Sequence, residues 1–483
     1  MRLSNQAVLA SSRRYLDLIG GKRMSEPEMH AFISETVDSY EKHVNRGFIT
    51  YRKSVTEAGQ FAALEWSGHG SIVRDLMGRE YIDCLGGYGI FSAGINHPRI
   101  VKAVTDQMGR MALNSQELLE PWRAALAKLS ADLTPGELSC SFFINNGTDA
   151  VEGAIKLARL HTGRNTFLST LGGFHGKSMG SLSLMGKAAF REPFRGGLQD
   201  VRFAPYGDAD ALESEFSKAD AVGTPIAAFV VEPIQGEAGA VVPPPGYLAR
   251  ARELCDRYGA LLIADEIQTG MGRTGRLWGV DHADVVPDIM CLGKAIGGGV
   301  MPLSAFVSTP KIWEALIPNP VIHSTTFGGN PIACAAGIAA ITATLEEDLP
   351  GQAAAKGEML LKELATLRAR YPSILSACRG KGLLIGLEFP SDSVGYDCAA
   401  SLFRRGVLVA GTYSKARTIR LEPALDIPTP QLLEVLSRLE DVLKEIQAKR
   451  FGFDGREAPE VIVGPAAVPQ NAAVPQNVVV PMT

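Results

Sequence analysis

The stretch LGKAIGGGVMP (292–302) sets one lysine, Lys294, at the end of the apolar run DIMCLG and follows it with a glycine-rich turn. Desolvation in an apolar pocket lowers the pKa of a lysine, and the neutral amine attacks carbonyl carbons to form Schiff bases. A surface charge beside a loop is the plainer reading, so the other parts of a site must be sought. Asp265 is one, at the end of the run ALLIAD. A carboxylate driven inward by so apolar a strand is costly unless a cation meets it, and a protonated ring nitrogen would be such a cation. An aspartate capping the following turn is the alternative. Gln268, three residues on, could reach the same ligand.

Two glycine-containing turns add to the set. In FFINNGTDAVEGAIKLARLH (142–161) a strand meets Asn-Asn-Gly-Thr and passes into a helix. Helix starts favour anions; Gly147 allows close approach and Thr148 offers a hydroxyl. Asp149 with Glu152 resembles a capping box, and a plain strand–helix turn is the competing reading. In GGFHGKS (172–178), Phe174 and His175 sit between glycines, where a flat ring could stack on a flat heterocycle; a phenylalanine turned to the core reads equally well. An anion cradle, a stacking ring, a buried acid and a buried lysine are together the parts that hold pyridoxal phosphate, with the glycines at 297–299 leaving room beside the lysine.

These residues need a scaffold that brings strand ends together. The runs SFFIN, TFLST, AAFVVEP, ALLIADE, DIMCLG and LSAFVS alternate with helical patterns between residues 141 and 308. Near-continuous apolar strands of this kind predict an α/β fold with a mostly parallel sheet covered on both faces. Ligands then bind beyond the carboxyl ends of the strands. Helices are expected at 29–45 and 356–372, both amphipathic, and at 98–112, 119–133 and about 332–347, with two strands around a turn near 72–91. GLLIGLEF and RTIRLEP read as strands of a smaller α+β unit. The expected division is an N-terminal helical segment, 1–70, contributing to the small domain; a large cofactor-binding domain, 71–335; a C-terminal small domain, 336–454; and a low-complexity tail, 455–483, in which AAVPQN occurs twice.

Composition narrows the class. The chain has 483 residues, 46% hydrophobic and 21% charged, with net charge −4, which fits a globular protein and gives no reason to expect a nucleic-acid or membrane partner. The seven cysteines form no CxxC pair and suit a reducing, cytoplasmic setting. The short apolar patch near the start is not the core of a secretory signal. His97 and His323 read as packing or hydrogen-bonding residues, with no metal expected. LEEDLP (345–350) reads as a solvated helix end and GRTGR as part of a site loop.

With these motifs in order, the sequence resembles class III (omega-type) pyridoxal-phosphate aminotransferases over roughly residues 50–445. NNGTDAVEGAIKLAR, GGFHGKS, VEPIQGEAG, ADEIQTGMGRTG, LGKAIGGGVMP, TTFGGNP and IRLEP carry the resemblance. Within the family the wording FITYRKSVT, YIDCLGGYGIF, NSQELLEPWRA, PPPGYL and VLVAGT is most similar to putrescine (diamine) aminotransferases. The resemblance implies a fold-type I pyridoxal-phosphate transferase, built as a homodimer or a pair of dimers with shared active sites. It makes Lys294 the Schiff-base lysine and proton shuttle, and pairs Asp265 with the pyridine nitrogen. It stacks Phe174 on the ring beside His175, and turns Gln268 to the phenolic oxygen. Gly147 and Thr148 would bind the phosphate, and Thr326 the phosphate of the neighbouring subunit. Asn146 and Asp149 are mild departures from the family's SGTE-like wording.

Substrate roles follow by the same route. Arg420 matches the family's carboxylate-binding arginine and Glu237 its gate, pairing with that arginine until an acid arrives; a fixed structural ion pair is the alternative. Tyr88 would line the substrate tunnel, or pack in the core. The implied reaction moves the terminal amino group of a diamine, putrescine or cadaverine, to 2-oxoglutarate or pyruvate. An omega-aminotransferase for ornithine, 4-aminobutyrate or another larger primary amine is the alternative, and an isomerase or decarboxylase on the same fold a further one. A non-catalytic phosphate-binding module is disfavoured because the glycines follow Lys294, whereas a P-loop places them before its lysine.

Overall fold

All six apolar runs between 141 and 308 form strands of one sheet in the computed structural model, which describes residues 4–51, 62–197, 199–413 and 415–451. The AAVPQN repeats and the second half of FITYRKSVT lie outside these residues. The strands are β1 (Cys140–Ile144), β2 (Thr166–Thr170), β3 (Val201–Ala204), β4 (Ile226–Val231), β5 (Leu261–Asp265), β6 (Ile289–Leu292) and β7 (Ser304–Ser308), in the spatial order β1-β7-β6-β5-β4-β2-β3. Only β7 runs against its neighbours β1 and β6; the β6-β5-β4-β2-β3 ladders are parallel. β3 is absent from the sequence expectation. It is an edge strand of three half-buried residues and the buried Ala204, so its run VRFA has neither length nor apolar contrast.

Burial explains the pattern. Every residue of β2, β4, β5, β6 and β7 is buried, as helices on both faces require. One face packs the helix Gly147–Thr162 through Val151, Ala154, Ile155 and Ala158 against Val230, Ile263, Ile289 and Phe306. The other strand faces divide between two layers. Phe229, Val231 and Leu262 meet the helices Ala209–Ala221 and Tyr247–Tyr258, whereas Ala264, Met290 and Leu292 meet Leu126, Ala333 and Cys334. A second, antiparallel sheet holds β8 (Ala377–Lys381), β9 (Leu384–Glu388), β10 (Ala410–Gly411) and β11 (Thr418–Leu421) in the order β8-β9-β11-β10. It shares a core with the helices Leu349–Arg370, Asp392–Arg404 and Thr429–Phe451.

The chain divides into two compact units, one of residues up to 67 together with 73–80, the other of 68–72 and from 81 onward. In the first, the helices Asn5–Ile19 and Glu26–Ser39 are tied by Arg14 and Tyr15, which donate to Glu35 at 2.7 and 2.6 Å. The amphipathic pattern at 29–45 is helical to Ser39 and then widens into a π-turn, Tyr40–Asn45. Both sheets lie in the second unit. LEEDLP is not simply a solvated end: Leu349 is fully buried and Asp348 caps the next helix by accepting from Gly351 N–H at 3.1 Å. Among the described residues no helix is long and apolar enough to cross a membrane.

Candidate active site

Because β4, β5 and β6 are parallel, their carboxyl ends share one edge, and Glu232, Asp265 and Lys294 are set there. Asp265 is buried. Its Oδ2 lies 2.7 Å from His175 Nδ1, and its Oδ1 accepts the Ile267 N–H at 3.1 Å. The pairing with His175 is a partner the sequence reading did not assign. Burial opposes charge on the imidazole, but the Asp265 hydrogen bond and charge outweigh it, so the His175 pKa is raised. Glu232 accepts the N–H groups of Phe174 and Gly236 at 3.0 and 3.1 Å; burial, with Asp265 adding, pushes its pKa up to about 7.

Lys294 opens a tight helical turn with φ 49°, a left-handed backbone uncommon for a residue with a side chain. Its side chain borders the cavity and is half-buried. Desolvation lowers the lysine pKa, with Glu422 the strongest opposing charge. The glycines after it serve packing rather than ligand room. A Cβ on Gly298 or Gly299 would press on Ile100 at 2.7 Å or Phe91 at 2.8 Å.

The helix Gly147–Thr162 starts at the same edge. Asn146 is its cap, accepting from Asp149 N–H at 3.3 Å and donating to Asp149 Oδ2 at 2.7 Å. The expected Asp149–Glu152 box does not form, because the helix begins before Asp149. Glu152 turns instead to Ser178 Oγ (2.6 Å) and to the N–H groups of Gly180 and Ser181 (2.8 and 3.1 Å). Thr148 Oγ1 lies 2.6 Å from both Ser178 and Ser181 hydroxyls. Gly147 is required by packing: a Cβ there would meet Ile267 Cδ1 at 2.8 Å.

A second charged cluster sits beyond Gln268. Arg420, on β11, pairs with Glu237 at 2.7 Å and its Nε lies 3.9 Å from Glu422; all three are buried. Gln268 Nε2 donates to both Glu422 oxygens at 2.9 and 3.0 Å, and Arg420 Nη1 donates to Gln268 Oε1 at 3.4 Å. The guanidinium lies 5.3 Å from the Tyr88 ring centre. Burial works against the charge of Arg420, and Glu237 and Glu422 more than restore it. Glu237 also accepts the Tyr413 N–H at 2.8 Å, and the Tyr413 ring stacks on Tyr88 and Phe174, each at 6.0 Å.

Gly147, Thr148, Phe174, His175, Asp265, Gln268 and Lys294 line one cavity of about 200 Å³, together with Gly176, Glu232, Ile267 and Thr269. Tyr88, Glu237 and Arg420 join it through Gln268. Thr326 does not line it; it is exposed, and its carbonyl accepts from Gln116 Nε2 at 2.6 Å. Within GRTGR, Arg273 is structural, fully buried and donating to Leu383 O, Pro423 O and Ser92 Oγ. His97 bonds Glu347 at 3.0 Å and His323 packs on Phe142 at 4.7 Å. Glu232 had a signal in the sequence, as the first polar residue after an apolar strand, whereas Glu422 follows the mixed strand TIRL.

The family profile Aminotransferase class-III matches residues 56–443. The chain belongs to the class III aminotransferases. Among solved structures it is similar to the ornithine aminotransferase of Toxoplasma gondii, at 30% identity and TM-score 0.76, covering 88% of this chain and 99% of that one. It is also similar to an amine transaminase from an uncultivated Pseudomonas species in its pyridoxal-phosphate-bound form, at 30% identity and TM-score 0.74, covering 81% and 97%. A transaminase from the marine bacterium Virgibacillus matches at 27% identity and TM-score 0.77, covering 85% and 99%. These relatives back the aminotransferase class and the broader amine reading more than the diamine one.

Proposed function

We propose that this class III aminotransferase is pyridoxal-phosphate-dependent and moves the terminal amino group of ornithine, 4-aminobutyrate or another larger primary amine to a 2-oxo acid. The donor set fits the cofactor: a helix start with a threonine hydroxyl for the phosphate, Phe174 for the ring face, Asp265 for the ring nitrogen and Lys294 for the carbonyl. When bound, pyridoxal phosphate supplies that carbonyl and an electron-withdrawing ring. Lys294 provides an amine whose charged form is disfavoured by desolvation, and its Nζ would take up and return the proton during the transfer. Asp265, oriented by His175 and the Ile267 N–H, holds negative charge at the ring-nitrogen position.

The observation that carries the substrate reading is the buried Arg420–Glu237 pair, 2.7 Å apart. An unpaired guanidinium would repel an amine, and Glu237 neutralises it; when a 2-oxo acid arrives, Glu237 swings aside and Arg420 grips the carboxylate. An amine panel with 2-oxoglutarate as acceptor tests this: terminal amines should yield glutamate. Turnover restricted to α-amino groups would overturn it. A second reading, a diamine such as putrescine or cadaverine, is favoured by one feature, the surplus of carboxylates around Arg420.

We further propose a homodimer. Leu118, Leu119, Val321 and Phe327 are exposed, Leu119 completely, and Gln116 joins their two segments by donating to Thr326 O. Apolar exposure on this scale marks a protein contact, and it supports Thr326 as a group offered to a second copy. Seven free thiols fit a cytoplasmic setting.

A further inference from the structure

Arg420 has one positive charge and two carboxylate neighbours. Glu237 meets Nη2 at 2.7 Å, and Glu422 stands 3.9 Å from Nε. Only one of the two has the means to leave. Among the described residues, Glu237 is held, apart from the guanidinium, by one backbone N–H, that of Tyr413. Glu422 is fully buried, follows β11 directly, and receives Gln268 Nε2 on both oxygens. Its own backbone N–H is bonded to Cys84 O at 2.8 Å. It also faces the cavity that Lys294 borders. A Cβ placed on Gly89 would lie 2.7 Å from Glu422 Oε1 and 3.6 Å from Lys294 Cδ, so the carboxylate and the lysine methylenes flank the same gap.

The formal charges then differ between the two halves of the reaction. With Glu237 in place, the Arg420 end carries one surplus negative charge. With Glu237 displaced, Arg420 and Glu422 balance, and the end is neutral rather than positive. A site with an arginine and one mobile glutamate would pass from neutral to positive. In a water-excluded pocket such differences are large.

We propose that Glu422 is a specificity-determining residue: a fixed carboxylate that draws donors with a second ammonium at the far end and weakens the hold of Arg420 on dicarboxylate acceptors. This rests on the transaminase reading above and deepens its donor class. The test compares wild type with Glu422→Gln, which keeps the shape and an acceptor for Gln268. Half-reactions are followed with 1,4-diaminobutane, with n-butylamine, which has the same length and no far charge, and with 2-oxoglutarate. The expected result is a KM for the diamine about tenfold higher, or about 1.4 kcal/mol, with n-butylamine within twofold and the KM for 2-oxoglutarate several-fold lower. Equal shifts for diamine and monoamine, or no gain for 2-oxoglutarate, would overturn it.

If wild type proves not to accept diamines, the diamine reading fails by itself. The inference is then judged on competitive inhibition by glutarate, which should tighten several-fold in Glu422→Gln; unchanged inhibition refutes it. Should that variant not fold, Glu422→Asp keeps the charge one methylene further back. The diamine KM should rise and glutarate inhibition tighten, both by smaller factors, and opposite or absent shifts count against the proposal.

Discussion

The two ends of the cavity handle buried charge in different ways. At the Asp265 end, one acid at the tip of a central strand meets one imidazole and one backbone N–H, within a run where every strand residue is buried. At the Arg420 end, one guanidinium lies between two carboxylates and shares a neutral amide with one of them, while the other accepts the N–H of Tyr413 on the segment after β10. In the first arrangement Asp265 has one ionic partner among the described residues. The second has a partner to spare, so one carboxylate can leave without stranding the cation, and leaving a buried charge unpaired is the step that costs most. On our reading the rigid end holds a cofactor that stays, and the redundant end receives two substrates that alternate.

Breaking the rigid end should have the largest effect. Asp265→Asn removes the charge facing the ring nitrogen and the partner of His175, and kcat should fall on the order of 10³-fold in both half-reactions. Rapid-mixing measurements of each half check this, and a loss confined to one half would erase the contrast between the ends. Glu237→Ala should instead act asymmetrically, lowering amine turnover about tenfold more than 2-oxoglutarate turnover; equal losses would make the Arg420 pair a fixed structural bridge. Gly147→Ala, whose Cβ would push on Ile267, should weaken cofactor retention several-fold in equilibrium dialysis and leave kcat at saturating cofactor within twofold.

The smallest effect is on stability against pH. The Glu232 pKa is raised from 4.5 to about 7 in the fold. Between those values the folded chain therefore holds a proton that the unfolded chain has released, and stability falls as pH rises through that window. The raised His175 acts in the same sense, its contribution being lost as pH climbs through the folded value. Melting temperatures from pH 5 to 8 should decline by a few degrees more in wild type than in Glu232→Gln. An identical slope in the two would remove Glu232 from the account.

What the sequence made legible follows the same divide. Apolar runs buried on both faces announce themselves, so the central strands, Asp265 and Lys294 were readable from composition and position alone. The rule that singled them out, to inspect the polar residue ending an apolar run, also applies to Glu232, which was not selected; Glu422 follows TIRL, where Thr418 and Arg420 break the apolar run. GRTGR read as part of a site loop, but its Arg273 is a structural tie, because it donates to three acceptors from distant segments that no local pattern reveals. Tyr413 had no signal at all. It lies outside regular structure, and its importance comes from contacts to residues 176, 239 and 325 positions away in the chain. The edge strand Val201–Ala204 was lost because half-burial leaves no periodic contrast.

The central claim is that Lys294 is the amine that engages the cofactor carbonyl. Borohydride reduction of the protein reconstituted with pyridoxal phosphate, followed by peptide mass mapping, tests it directly. The account predicts a stable phosphopyridoxyl adduct on the peptide containing Lys294, absent in Lys294→Ala. An adduct on another lysine, or none on a chain that has bound the cofactor, would contradict it.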